Sequence, residues 1–294
     1  MIEIAVVSGK GGTGKTSLTA SFAYLSAGRA VLADCDVDAP NLGLITDPTT
    51  RETHEFWGSR EPVIDREKCS GCSLCARACR FGGMGEDLEV NSLACEGCGV
   101  CSWICPEGAI TMREALSGRW LVSDTPHGTL VHARLEPGEE NSGKLVTLVR
   151  ETALSEARTQ DRDLVLIDGP AGIGCPVIAS LTGVSCALVV TEPTLAGIHD
   201  LDRILNLCHH FGVPTQVCIN RHDLHAGNAR AIQERLRDQG VGILGTIPYD
   251  RAVAETMVQG LPVASRKGEA SSSIRAVWEG LLRFALDCSK RPRH

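Results

Sequence analysis

The chain opens on an apolar run at 2–7, breaks at a glycine-rich turn, and continues into a stretch of helical length from Lys15 to about Ala27. Strand, loop and helix in that order begin a wound α/β unit. A second apolar run at 30–33 ends in the acidic stretch Asp34-Cys35-Asp36-Val37-Asp38. From residue 164 the alternation resumes, with apolar strands expected near 164–167, 186–190, 215–219 and 242–246 and helical-length segments between them. Such alternation predicts an α/β fold, a mostly parallel sheet with helices on both faces. At 271–288 the apolar positions Ile274, Val277, Trp278, Leu281, Leu282 and Ala285 recur at helical spacing, which predicts an amphipathic helix packed on the core.

Between Asp36 and Asp168 the alternation breaks, and we place an inserted unit there at 60–115. The discontinuous α/β domain then takes 1–59 and 116–294. Beyond the insert, runs at 120–122 and 130–133 flank Thr125-Pro126-His127-Gly128 and predict a hairpin. The polar stretch 136–143 reads as an exposed loop, and 290–294 as a frayed tail.

Composition narrows the function classes. A net charge of −7 provides no general attraction for nucleic acid or an anionic membrane surface. The first residues enter a strand directly, with no basic or long apolar leader. No apolar stretch approaches the roughly 20 residues that span a bilayer. The expectation is a cytoplasmic protein.

Fourteen cysteines change the picture, because eight of them fall between Cys69 and Cys105. A secreted disulfide scaffold would be short and loop-rich throughout, so this block points to metal ligation. The spacing Cys69-x2-Cys72-x2-Cys75-x3-Cys79 recurs as Cys95-x2-Cys98-x2-Cys101-x3-Cys105. That is the two-cluster ferredoxin pattern, in which the fourth cysteine of each run binds the other cluster. One 4Fe–4S cluster is therefore expected on Cys69, Cys72, Cys75 and Cys105, and a second on Cys95, Cys98, Cys101 and Cys79. The block contains no histidine, which argues against zinc. Cys105 is followed by Pro106 as usual, whereas Cys79 is followed by Arg80. The scattered Cys35, Cys186, Cys208, Cys218 and Cys288 read as core thiols, and Cys175 as a small residue packed in a helix.

Gly9-Lys10-Gly11-Gly12-Thr13-Gly14-Lys15-Thr16 fits the phosphate-binding loop between a strand and a helix. Its glycines let backbone N–H groups surround phosphate oxygens, with Ser17 in the first turn of the helix behind them. Lys15 is expected on the β/γ-phosphates of ATP or ADP, and Thr16 on Mg²⁺. The apolar strand ending at Asp168, followed by Gly169 and Gly172, reads as a Mg²⁺-side carboxylate ahead of a flexible switch.

The second lysine, Lys10, goes beyond the general pattern. With it the chain resembles the MinD/ParA/Mrp/NifH superfamily of P-loop ATPases, and most closely the MinD-type members that contain an inserted ferredoxin domain. The resemblance implies that Lys10 reaches the nucleotide of a second subunit, making an ATP-sandwich homodimer. It implies that Asp36 orients the attacking water and that Asp34 supports Mg²⁺ through its water shell. Asn220, with Arg221, follows a strand where the family contacts adenine, and Pro248 lies in a loop near the base.

Three functions follow. In the first, nucleotide-driven dimerisation gates electron delivery through the clusters to a redox or metal-cluster partner. The second is an Fe–S or metal-cluster assembly factor of Mrp type. The third is a MinD/ParA-like positioning or regulatory switch whose clusters sense redox state.

Overall fold

The computed structural model describes residues 1–139 and 143–290. Part of the loop expected at 136–143, residues 140–142, and the tail at 291–294 lie outside the described residues.

Five strands form the parallel heart of the molecule. β1 (Ile2–Ser8) lies between β6 (Leu164–Ala171) and β7 (Cys186–Thr191), and β8 (Thr215–Asn220) and β9 (Gly242–Ile247) follow β7. On the other side β6 pairs in parallel with β2 (Ala30–Asp34), which pairs with β5 (Gly128–Leu135). Among the described residues the sheet has nine strands in the order β3-β4-β5-β2-β6-β1-β7-β8-β9, with β3 at Thr49–Ile64 and β4 at Ile110–Thr125.

Strand residues alternate between faces, and here both faces are dry. Ile4, Val6, Leu32, Leu166 and Leu188 join the core under α1 (Lys15–Leu25) and α10 (Glu269–Ser289). The intervening Ala5, Val7, Val165, Ile167 and Val189 are buried too. Three further helices, α5 (Lys144–Thr159), α6 (Cys175–Leu181) and α7 (Leu195–His210), pack on β2, β6 and β7. The apolar stripe of α10 is turned inward, with Trp278 stacked on Phe22 at 5.2 Å between ring centroids. No helix among the described residues is long and apolar enough to cross a membrane.

The chain divides into two compact units, Met1–Thr53 with Leu121–Ala133 and Ser142–His294, and His54–Trp120 with Arg134–Asn141. The second is wider than the cysteine block at 60–115 because long strand segments belong to it. Within it, Ser117 Oγ accepts the N–H groups of Gly58 and Ser59, and Glu136 N–H donates to the Ser117 carbonyl. Its small core gathers Cys75, Met84, Leu88 and Ile110. Two short helices, α3 (Leu74–Ala78) and α4 (Val100–Trp103), lie in this unit.

The hairpin expected around Thr125–Gly128 is present between β4 and β5, closed by Thr125 Oγ1 donating to the Gly128 carbonyl at 2.6 Å. The sixteen-residue strand β3 has no counterpart in the sequence reading. Almost all of its residues are exposed or half-buried, so no apolar alternation marks it. Its charges at Arg51, Glu52 and Glu55 suit an edge strand.

Candidate functional site

Parallel strands of this kind gather their ligand-binding loops at their carboxyl ends, and the expected phosphate residues meet there. The loop leaves β1 at Ser8, whose hydroxyl donates to the Lys10 carbonyl at 2.5 Å. Gly14 has φ +98°, and a Cβ there would stand 2.5 Å from Asn220 Nδ2. Gly9 is equally confined, since a Cβ would stand 2.2 Å from the Asp200 carbonyl oxygen of α7. Gly11 and Gly12 are exposed at the loop's turn.

Lys15 is buried at the start of α1. Burial lowers its pKa, and the neighbouring Asp168 and Asp36 carboxylates pull the other way. Thr19, one turn on, has its hydroxyl 3.0 Å from the Lys15 carbonyl and 3.1 Å from Asp168 Oδ1. Asp34 and Asp168, opposite each other in the register of β2 and β6, are both fully buried.

Burial, with Asp168 beside it, holds the Asp34 carboxyl well above the usual carboxylate range. Burial likewise raises Asp168 to about 6, against hydrogen bonding from Thr16 and the charge of Lys15. Asp168 Oδ2 and Thr13 Oγ1 are buried without a hydrogen-bond partner. Half-buried Asp36 is also raised, by burial first, while Lys15 lowers it. The site thus concentrates carboxylate in a dry place, with one unpaired carboxylate oxygen and one lysine. A divalent cation with phosphate is the chemistry that such a donor set suits.

Asp34 has a further task. Its two oxygens accept the N–H groups of Asp36 at 3.2 Å and Leu42 at 3.1 Å, and so shape the turn that presents Asp36.

Beside Gly14 a cavity of about 120 Å³ is lined by Ser17, Asn220, Arg221 and Pro248, with Tyr249 and Met257. Both ends of the Asn220 amide are engaged. Its Nδ2 donates to the Thr13 carbonyl at 2.8 Å, and its Oδ1 accepts Arg221 N–H at 3.0 Å. Asn220 thereby ties β8 to the phosphate loop.

Lys10 donates to Glu192 Oε1 at 3.2 Å, and Arg221 donates to Glu192 Oε2 at 3.2 Å. Sequence reasoning missed Glu192, although its place directly after β7 is where a wound sheet collects ligand residues. It also missed Thr19, and Met257, which receives the Ser17 hydroxyl at 2.9 Å. A lone methionine in a helix carries no signal of that role.

In the second unit the cysteines fall into two sets. Cys69, Cys72, Cys75 and Cys105 line one cavity of about 20 Å³. Cys79, Cys95, Cys98 and Cys101 line another of about 600 Å³, beside Phe81 and Arg80. No three His, Cys, Asp or Glu side chains among the described residues converge as they would around a single metal ion. Elsewhere Cys35, Cys186, Cys208 and Cys218 are buried, and burial pushes the Cys186 and Cys218 thiols up to about 12. Cys175 is exposed at the start of α6, and not packed inside it as the sequence suggested, because the helix turns Val177, Ser180 and Leu181 inward and leaves its first residue outside.

The sequence matches the CobQ/CobB/MinD/ParA nucleotide-binding domain family over residues 4–263. It is 31% identical over 286 residues to uncharacterized protein MJ0578 of Methanocaldococcus jannaschii, covering 97% of this chain and 98% of that protein. The septum site-determining protein MinD of Bacillus subtilis is 24% identical over 289 residues, or 95% and 88% of the two chains. In fold, the chain is similar to the MinD of Pyrococcus horikoshii complexed with Mg-ADP, at TM-score 0.58 and 17% identity over 99% of each.

Proposed function

The chain belongs to the CobQ/CobB/MinD/ParA nucleotide-binding family, and from that premise we propose that it is a Mg²⁺-dependent ATPase acting as a dimeric regulatory switch. The observation that carries this reading is the meeting of Lys15, Asp36, Asp34 and Asp168 around a glycine-rich loop, with the Asp168 Oδ2 acceptor left unpaired. Lys15 binds the β/γ-phosphates. Thr16 and Asp168 would hold Mg²⁺, with Asp34 behind them, and the ion would supply charge neutralisation at the phosphates. Asp36 accepts a hydrogen bond from the attacking water and orients it; phosphoryl transfer asks for little more than such positioning. Asn220, Arg221 and Pro248 border the base, and Lys10 crosses to the nucleotide of a second copy. Turnover of ATP that disappears in Lys15→Ala and without Mg²⁺ is the expected result; Mg²⁺-independent turnover would refute the reading.

The second unit, in this proposal, makes the switch redox-sensitive. Its donor chemistry fits two 4Fe–4S clusters, because each cavity brings together one complete set of four thiols. A cubane spreads its thiolates over four corners, so ligands that fail to converge on one ion are compatible with it.

The family relationship favours the regulatory role over electron delivery to a partner. The same two thiol sets keep electron delivery as a second reading, since paired clusters are the usual conductor of a ferredoxin. Capture of partners by the ATP-locked, anaerobically prepared protein separates the two. A redox enzyme retained only in the ATP state supports delivery; ATP-dependent retention of proteins with no redox centre supports regulation.

A further inference from the structure

Lys10 stands at the mouth of the phosphate loop with its side chain 41% exposed, yet its ammonium is occupied. It pairs with Glu192, whose side chain is only 9% exposed. The backbone of Glu192 is pinned as well. Thr194 N–H donates to the Glu192 carbonyl at 2.8 Å, and any side chain at Gly197 would stand 2.4 Å from that oxygen.

A carboxylate so nearly buried is costly to strip of its counter-ion. Arg221 meets that need, because it holds the second Glu192 oxygen while Lys10 holds the first. Arg221 is itself placed by Asn220, which anchors to the Thr13 carbonyl. Both ends of the phosphate loop are therefore joined through one relay, Thr13 to Asn220 to Arg221 to Glu192 to Lys10.

We infer that Glu192 is a positioning residue that holds Lys10 at rest, and that Arg221 is the resident cation that allows Lys10 to be released to a second copy of this chain. The inference rests on the proposed action of Lys10 across a dimer. Phosphate oxygens of the partner's nucleotide compete with Glu192 for one ammonium. When they win, Glu192 keeps Arg221 and is not left as an unpaired buried charge. Removing the carboxylate frees Lys10 and favours pairing; removing Arg221 leaves Lys10 as the only cation on Glu192 and opposes it. A merely structural ion pair would weaken the protein in both cases and would not give opposite signs.

The test uses the full chain with Mg-ATP and reads the monomer–dimer constant by sedimentation velocity in an Asp36→Asn background, which holds ATP uncleaved. Glu192→Gln is expected to dimerise roughly fivefold to twentyfold more tightly, the range set by the opening of two ion pairs per dimer, in each of which only the lysine is substantially exposed. Arg221→Gln is expected to dimerise more weakly, and Arg221→Gln with Glu192→Gln to return to the level of Glu192→Gln alone. Nucleotide affinity of the dilute monomer, measured with a fluorescent ATP analogue, separates pairing from binding. Glu192→Gln dimerising no more tightly than its parent overturns the inference, as does a double variant that stays as weak as Arg221→Gln. Normal dimerisation of Lys10→Ala would instead refute the underlying reading of Lys10.

Discussion

Asp168 carries an electrostatic penalty imposed by its burial. It is fully buried, one oxygen lacks a partner, and its pKa is raised to about 6 from 3.8. A raised carboxyl binds more protons folded than unfolded between roughly pH 4 and pH 6. Stability therefore falls as pH rises through that window and stays at the lower level at neutral pH. Asp168→Asn removes the ionisation. It is expected to stabilise the nucleotide-free protein at pH 7.5 by about 1–3 kcal/mol, on the scale of 1.36 kcal/mol per pKa unit, and to abolish the Mg²⁺-dependent part of ATP binding. Guanidinium unfolding at pH 5 and 7.5 checks the first effect, and nucleotide titration with and without Mg²⁺ the second. Destabilisation of the variant at pH 7.5 would contradict the electrostatic account. At this scale the sequence was informative where a residue type is forced. Gly14 is required by its positive φ and by Asn220 pressed against it, and Lys15 by the phosphate pattern. Glu192 was not legible, because an acid after a strand has many uses until its partners across the site are known.

The elements divide in the same way. Those buried on both faces, β1, β6 and β7, announce themselves as continuous apolar runs, and α10 does so by its helical stripe. β3 does not, because a strand exposed along most of its length has no hydrophobic contrast to read. The stripe of α10 packs on the core as expected, with Ile274, Val277, Trp278, Leu281 and Ala285 all buried there. Trp278→Ala removes a ring that is 5% exposed and stacked on Phe22. The expected cost is about 3–5 kcal/mol, read as a lower midpoint in guanidinium unfolding. A cost under about 1 kcal/mol, the range of surface substitutions, would mean that the helix is peripheral.

For the molecule as a whole, the order of the chain foretold the mostly parallel sheet. The second unit is wider than the cysteine block, because segments at 54–59, 116–120 and 134–139 belong to it through contacts distant in sequence that spacing cannot express. Its cysteine sets give a separate expectation. Protein purified without oxygen should hold about eight iron and eight acid-labile sulfide per chain, and Cys79→Ser should damage the cluster shared with Cys95, Cys98 and Cys101. Selective loss of the cluster on Cys69, Cys72 and Cys75 would refute that grouping. The claim on which the account depends most is that ATP pairs two copies through Lys10. Light scattering of the full chain with Mg-ATP, for wild type and Lys10→Ala, tests it most directly. The account predicts that wild type doubles in mass with ATP and not with ADP, while Lys10→Ala still binds ATP and remains a monomer. Equal doubling of the variant, or no doubling of the wild type at saturating ATP, would contradict it.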